Sequence, residues 1–97
     1  MPILGFKDLN VYQTAYQAAL IVIKEIVPNL PKEEKCDLCR QLRRSSKAIP
    51  ALIAEGYAKK HQPKAFQGYL VDALGEANEM IVHLSYCLDL YGKFINT

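Results

Sequence analysis

Apolar residues recur along this chain at alternating spacings of four and three, which is the pattern of helices packed lengthwise on partners. The recurrence falls in three stretches, at about residues 8–27, 31–60 and 63–92. In the third stretch it runs unbroken through Phe66, Leu70, Ala73, Ala77, Met80, Leu84, Cys87 and Tyr91. No segment shows the period-two alternation that is typical of strands. The pattern predicts one all-α domain, an antiparallel up-and-down helical bundle.

Prolines indicate where the helices end or bend. Pro28 should end the first helix, because proline lacks a backbone N–H and crowds the preceding turn. Pro31 suits the first position of the second helix. Pro50 lies inside that helix, so we expect a kink or a break near residue 50.

The apolar face of the third stretch is broader than two neighbouring helices need. Leu74, Ile81 and Leu88 add a flank beside the main row. Three rods of roughly 30–45 Å are also long and thin for one small domain. We therefore expect the chain to associate with copies of itself.

Positive charge is concentrated in the middle of the chain. Residues 31–62 carry eight Lys or Arg against four acids, a net charge of +4, whereas residues 63–97 carry a net charge of −2. On a helix, four of these cations fall within an arc of about 100°, opposite an apolar row. This basic stripe consists of Arg40, Arg43, Arg44 and Lys47. Cations on one helix face can meet successive phosphates, so the stripe is a candidate nucleic-acid surface.

Other interpretations of the basic residues stay open. The stripe can be a solvated helix face, or its arginines can pair with acids that hold the bundle or a ring of subunits together. The candidate residues for such structural ion pairs are Arg43, Arg44, Glu55, Glu76 and Glu79. A second basic cluster, at Lys59, Lys60, His61 and Lys64, either complements the C-terminal end of the second helix or extends the basic surface.

No constellation of residues predicts catalysis, a cofactor or a metal. Cys36 and Cys39 form a C-x-x-C pair, but a structural zinc site needs four ligands and a second pair is missing. Neither a catalytic triad nor a phosphate loop is present. Three cysteines, an odd number, fit a reducing cytoplasm. With no long apolar run and no signal-peptide pattern, we expect a cytoplasmic protein that does not enter membranes.

Five segments together resemble one protein family. They are residues 6–13 (FKDLNVYQ), 30–34 (LPKEE), 41–46 (QLRRSS), 53–57 (IAEGY) and 66–79 (FQGYLVDALGEANE). On these segments the chain resembles the four-helix-bundle proteins of the 23S rRNA intervening sequence. That family is related more distantly to the accessory variability determinants of diversity-generating retroelements.

The resemblance implies a left-handed antiparallel bundle assembled as a ring, most often a homopentamer, with no established enzyme activity. It also implies a binding partner, which is either RNA or another nucleic acid, or a protein such as a reverse transcriptase. Family members usually continue into a fourth helix after the glycine that matches Gly92. Only five residues follow Gly92 here, so we expect that helix to be missing, short or cut off.

Two hypotheses of function follow from the residues and the resemblance. The first is a non-catalytic oligomeric binding module that contacts structured RNA or other nucleic acid. The residues that would make this contact are Arg40, Arg43, Arg44, Lys47, Lys59 and Lys60. The second is a protein-interaction adaptor whose arginines hold the ring together.

Overall fold

The computed structural model describes residues 3–94, which contain three α-helices. A connection of π-helical and 3₁₀ turns joins the first two, and a short turn joins the last two. The helices are α1 (Asn10–Ile21), α2 (Leu38–Ala58) and α3 (Pro63–Tyr91). The described residues contain no strand, which confirms the all-α prediction. They contain three helices, not the four that the family resemblance implies. Gly92–Phe94 forms a 3₁₀ turn, and residues 95–97, where any fourth helix would begin, lie outside the described part.

The end of the first helix changes its winding before the chain turns. Val22–Ile26 form a π-helical turn, and Val27–Asn29 follow as a 3₁₀ turn. Pro28 has no N–H to donate to the preceding turn, so the regular helix cannot continue. The Asn29 side chain donates to the Glu25 carbonyl at 2.6 Å and satisfies one acceptor that the helix end leaves open.

The second helix begins later than the sequence predicts. Lys32–Glu34 form a separate 3₁₀ turn, and Asp37 has a non-helical backbone (φ −127°, ψ −96°). The α-helix therefore starts at Leu38 and not at residue 31. Pro50 does not break it, because α2 runs as one continuous α-helix to Ala58.

Helix α2 lies between the other two helices and packs along both. Toward α3, Arg44 reaches Glu76 and Glu79 near the middle of the interface, whereas Gly56 meets Tyr69 near the α2–α3 turn. Residue numbers rise on one helix as they fall on the other, so the pair is antiparallel. The molecule measures 46 × 27 × 18 Å, close to the length of α3 in its longest direction.

The core consists of two apolar clusters along α2. The first surrounds Leu42, which is fully buried, and includes Cys39 of α2 and Cys87 of α3. The second is centred on Ile49 and Ile53. The apolar row of α2 that the sequence predicts therefore packs inward, which places the basic stripe on the outside.

Gly56 allows the closest approach between α2 and α3. A Cβ atom built on Gly56 would lie 2.9 Å from the Cβ of Tyr69, nearer than side chains normally approach. This glycine therefore lets the two backbones come together.

A flank of α3, beside its core-facing row, carries an apolar strip that no other part of the described chain covers. Its residues are between 41% and 61% exposed. They are Leu70, Leu74, Ile81 and Leu88. On a helical wheel they fall within about 40° of one another, so they form a continuous row along α3. This row is part of the apolar face of α3, which the sequence predicts to be wider than two neighbouring helices can cover.

Candidate nucleic-acid interface

The four cations of the basic stripe do not share one environment, because Arg44 is bound to two carboxylates of α3. Its Nη1 donates to both oxygens of Glu76, at 3.0 and 3.1 Å. Its Nη2 donates to Oε1 of Glu79 at 2.6 Å. Two negative charges therefore surround this guanidinium, and it cross-links α2 to α3 within one chain.

The titration of this cluster follows from its hydrogen bonds. The bonds to Glu76 and then Glu79 raise the pKa of Arg44 above its ordinary value. The bond from Arg44, and next one with His83, lowers the pKa of the Glu79 carboxyl. The Glu79–His83 distance is 3.4 Å, between Oε1 and Nε2. Arg44 and Glu79 therefore favour each other's ionised forms, which is the behaviour of a structural ion pair.

The remaining stripe residues, Arg40, Arg43 and Lys47, are exposed. None of these three side chains forms an ion pair within residues 3–94. Glu55, a candidate partner of the arginines, also forms no ion pair in the described part of the chain. Arg40 and Lys47 lie seven residues apart, about 10 Å along the helix axis. These three cations are the part of the stripe that is available to an external anion.

Arg40 and Arg43 border a cavity of about 460 Å³ at the start of α2. We call it the basic cavity. Lys32 and Lys35 of the α1–α2 connection complete its set of cations. Its apolar wall includes Val27 and Leu30. The cavity therefore combines an apolar surface with four positive charges.

The acids of the same connection face a different direction. Glu34 accepts a hydrogen bond from the Tyr91 hydroxyl and one from the backbone N–H of Leu38, the latter at 3.4 Å. Glu34 and Asp37 line a separate cavity with His83 of α3. The bond to Glu34 raises the pKa of Tyr91 to about 12. Glu34 and Asp37 therefore lie on a different side of the connection from Lys32 and Lys35.

Lys47 borders a second, largely apolar cavity of about 390 Å³ between α1 and α2. Phe6, Tyr12 and Tyr16 form part of its wall. The ring centroids of Phe6 and Tyr12 lie 4.9 Å apart, in an edge-to-face arrangement. We call this the aromatic cavity. It places one cation at the border of an aromatic surface.

Lys59 and Lys60 lie just beyond the end of α2 and are exposed. The Nζ of Lys60 lies 4.2 Å from the ring centroid of Tyr57 and donates to its hydroxyl at 3.0 Å. Lys59 is twelve residues from Lys47, roughly 18 Å along the axis. The structure therefore separates this pair from the rest of the predicted nucleic-acid set.

The cysteines do not form a common site. Cys39 and Cys87 are buried, and burial raises the pKa of both thiols. Cys36 is exposed and lines the basic cavity. Among the described residues, no three His, Cys, Asp or Glu side chains group closely enough to hold a metal ion.

Sequence reasoning missed Lys32 and Lys35 as members of the site. Both fall in the first turns of the second helix as the sequence predicts it. The acids there, Glu33, Glu34 and Asp37, are typical of a helix start and draw attention away from the lysines. The signal that could have found them is their spacing of three, which places two cations on one side of a single turn.

Comparison with known proteins identifies one family. The family described as "23S rRNA-intervening sequence protein" matches residues 7–93, which is nearly the whole chain. No curated protein and no solved structure matches the chain.

The helices were also compared with the requirements of a membrane span. None of them within the described residues is both long and apolar enough to cross a bilayer.

Proposed function

The chain belongs to the 23S rRNA-intervening sequence protein family, and from this premise we propose that it is a non-catalytic module that binds structured RNA. The contact surface is the outer side of α2 together with the connection before it. The cations of this surface are Arg40, Arg43, Lys47, Lys32 and Lys35. Arg44 is not included, because two carboxylates already neutralise it.

One observation supports this proposal most directly. Arg44 and Arg43 are neighbours in sequence, yet only Arg44 is paired with carboxylates in the described structure. Arg40, Arg43 and Lys47 instead stay exposed on the same side of the molecule. Unpaired cations on one face can displace the counterions of an RNA backbone, which is the main source of affinity for nucleic acid.

Fluorescence anisotropy with a labelled, structured fragment of rRNA tests this proposal. If four or five cations meet phosphates, the logarithm of the association constant should fall with the logarithm of salt concentration with a slope of about −3 or steeper. Absence of binding at low salt, or binding that salt does not weaken, would contradict the proposal.

We propose further that the chain assembles into a homo-oligomer through the apolar strip of α3. The strip is a continuous row of half-exposed Leu and Ile side chains, and such a row is stabilised when another apolar surface covers it. The family resemblance favours a ring of five subunits. Light scattering on the purified protein measures the subunit number, and a monomer at every concentration would contradict this part.

A matched pair of variants locates the assembly surface. Ile81→Lys places a charge in the middle of the strip and should produce monomers. Asp72→Lys also adds positive charge to α3, but nine residues away, which is about 180° around the helix. The second variant should keep the assembly. Equal behaviour of the two variants would exclude the strip as the interface.

The same strip favours a second candidate function, a protein-interaction adaptor. In that case a helix of a partner protein covers the strip in place of another copy of the chain. An assembled protein that binds no RNA at low salt would favour the adaptor over the RNA-binding module. Arg44 would then contribute only to the fold of each subunit.

A further inference from the structure

The basic cavity has a composition that differs from the rest of the basic surface. Its wall includes Val27, Leu30 and Cys39, each at most 9% exposed, so the wall is a fixed part of the core. Its volume of about 460 Å³ lies within the usual range of small-ligand sites, roughly 300–1,000 Å³. A flat phosphate-binding surface needs no such depth. The cavity therefore has room for a ligand part that is not a phosphate.

The charges around the cavity have one sign. Lys32, Lys35, Arg40 and Arg43 belong to its lining, and no carboxylate does among the described residues. Glu34 is bound to Tyr91 and to the N-terminal turn of α2, and it lines the separate cavity with Asp37. The positive potential in the cavity is therefore not cancelled from within, and an anionic ligand is favoured.

An apolar wall beside several cations matches the chemistry of one nucleotide. The flat base is apolar on its faces and the phosphates on either side of it are negative. A paired base cannot enter a cavity, whereas an unpaired base can turn out of its strand and be bound by a protein.

We propose that the basic cavity binds a single unpaired nucleotide of an RNA, with its base against the wall of Val27 and Leu30. The flanking phosphates lie at Lys32, Lys35, Arg40 and Arg43. This inference rests on the proposed RNA-binding function and extends it, because it names the feature of the RNA that the protein selects. The module distinguishes a bulged or looped RNA from a continuous duplex.

The test compares two RNAs that differ in one nucleotide. One is a short duplex, and the other is the same duplex with one unpaired adenosine. The bulged RNA should bind about tenfold more tightly, which corresponds to one buried and held base. Anisotropy at a single fixed salt concentration measures both affinities.

Cys36 provides an independent measurement inside the cavity. It is the exposed cysteine, whereas Cys39 and Cys87 are buried with raised thiol pKa values and should react slowly. The rate of its alkylation by N-ethylmaleimide, followed by mass spectrometry, should fall about tenfold with saturating bulged RNA. The continuous duplex should protect Cys36 much less.

Two double variants separate the cavity from general charge. Lys32→Gln with Lys35→Gln removes two cavity cations and should abolish the preference for the bulged RNA. Lys24→Gln with Lys93→Gln removes the same charge from exposed positions outside the cavity, and should keep the preference. All four lysines are exposed, so neither variant should lose its fold.

Each outcome has a defined meaning. Equal affinity for the two RNAs, a preference without protection of Cys36, or a preference that the cavity variant keeps overturns the nucleotide site and leaves the proposed RNA-binding function standing. Absence of binding to either RNA at low salt overturns the RNA-binding function and this inference with it. Preference, protection and loss of preference in the cavity variant together support the site.

Discussion

The two sides of helix α2 are built differently. Toward α3 the middle and far end of the interface are closed, with Gly56 against Tyr69 and Arg44 bound to Glu76 and Glu79. A cavity on this side lies at the start of α2, beside His83 of α3. Toward α1 and the connection the interface is open, with two cavities of about 460 and 390 Å³. The closed side joins α2 to α3 within the subunit, and the open side leaves two cavities beside exposed cations.

Arg43 and Arg44 illustrate this difference most clearly. They are the same residue type at adjacent positions, about 100° apart around the helix. That rotation brings Arg44 within reach of two carboxylates and leaves Arg43 at the basic cavity. A stripe of like charges on a wheel can therefore contain residues with different roles.

The largest expected effect comes from closing the space at Gly56. Gly56→Val should destabilise the fold by about 2 kcal/mol, because its Cβ would overlap with Tyr69 and force the helices apart. Urea unfolding followed by circular dichroism measures the change. Gly75→Ala is the matched control, since no atom lies within 4 Å of an added Cβ there. It should stabilise the helix by roughly 0.5–1 kcal/mol. Destabilisation of similar size in both variants would contradict the close approach at Gly56.

The next effect concerns the open side. Replacing Arg40 and Arg43 together by Gln should lower RNA affinity by about tenfold and reduce the steepness of the salt slope by about 2, one unit per lost phosphate contact. Arg44→Gln should leave the slope unchanged, because that guanidinium is already paired. Anisotropy titrations at several salt concentrations give both slopes. An equal change in the Arg44 variant would show that the paired arginine also contacts RNA.

A smaller effect is expected on the stability of the closed side. Arg44→Gln should lower Tm by roughly 2–5 °C, since the pair is partly exposed and such pairs contribute modestly. Arg43→Gln should leave Tm nearly unchanged, because Arg43 forms no ion pair in the described residues. Differential scanning calorimetry of the two variants makes the comparison. A larger loss in the Arg43 variant would reverse the two assigned roles.

The smallest effect is the pH dependence of the same cluster. The pKa of Glu79 is lower in the folded chain than its ordinary value of 4.5, so its ionised form stabilises the fold. This stabilisation is complete above the ordinary value and is lost as the pH falls through the lowered pKa. Glu79→Gln should therefore flatten the dependence of Tm on pH in the acid range, and calorimetry at a series of pH values measures this. Parallel curves for wild type and Glu79→Gln would contradict the assignment.

The sequence was sufficient for the helices and for the inward face of α2, because both follow from the spacing of apolar residues. It was not sufficient for the start of α2. Pro31 and the acids after it have the composition of a helix start, but the backbone of Asp37 interrupts the helix and delays it to Leu38. Lys32 and Lys35 of the basic cavity belong to this connection before α2, so a helical pattern could not predict their place.

The pairing of Arg44 also could not be predicted from the helical wheel of α2 alone. The wheel placed it with three other cations and named Glu76 and Glu79 only as alternatives among several acids. Which arginine meets which acid depends on how α3 is rotated and positioned along α2. The contact between Gly56 and Tyr69 contributes to that register, and it is visible only in the packed structure.

The central position of α2 has a consequence for motion. The chain from α1 through its π and 3₁₀ turns contributes a wall to the aromatic cavity and another to the basic cavity. Helix α1 packs less extensively on α2 than α3 does, so it is the element whose amide hydrogens should exchange first with solvent. If α1 separated from α2 together with the turns that follow it, both cavities would lose a wall in the same event. A nucleotide that fills one cavity would then slow hydrogen exchange in the helix that forms the other.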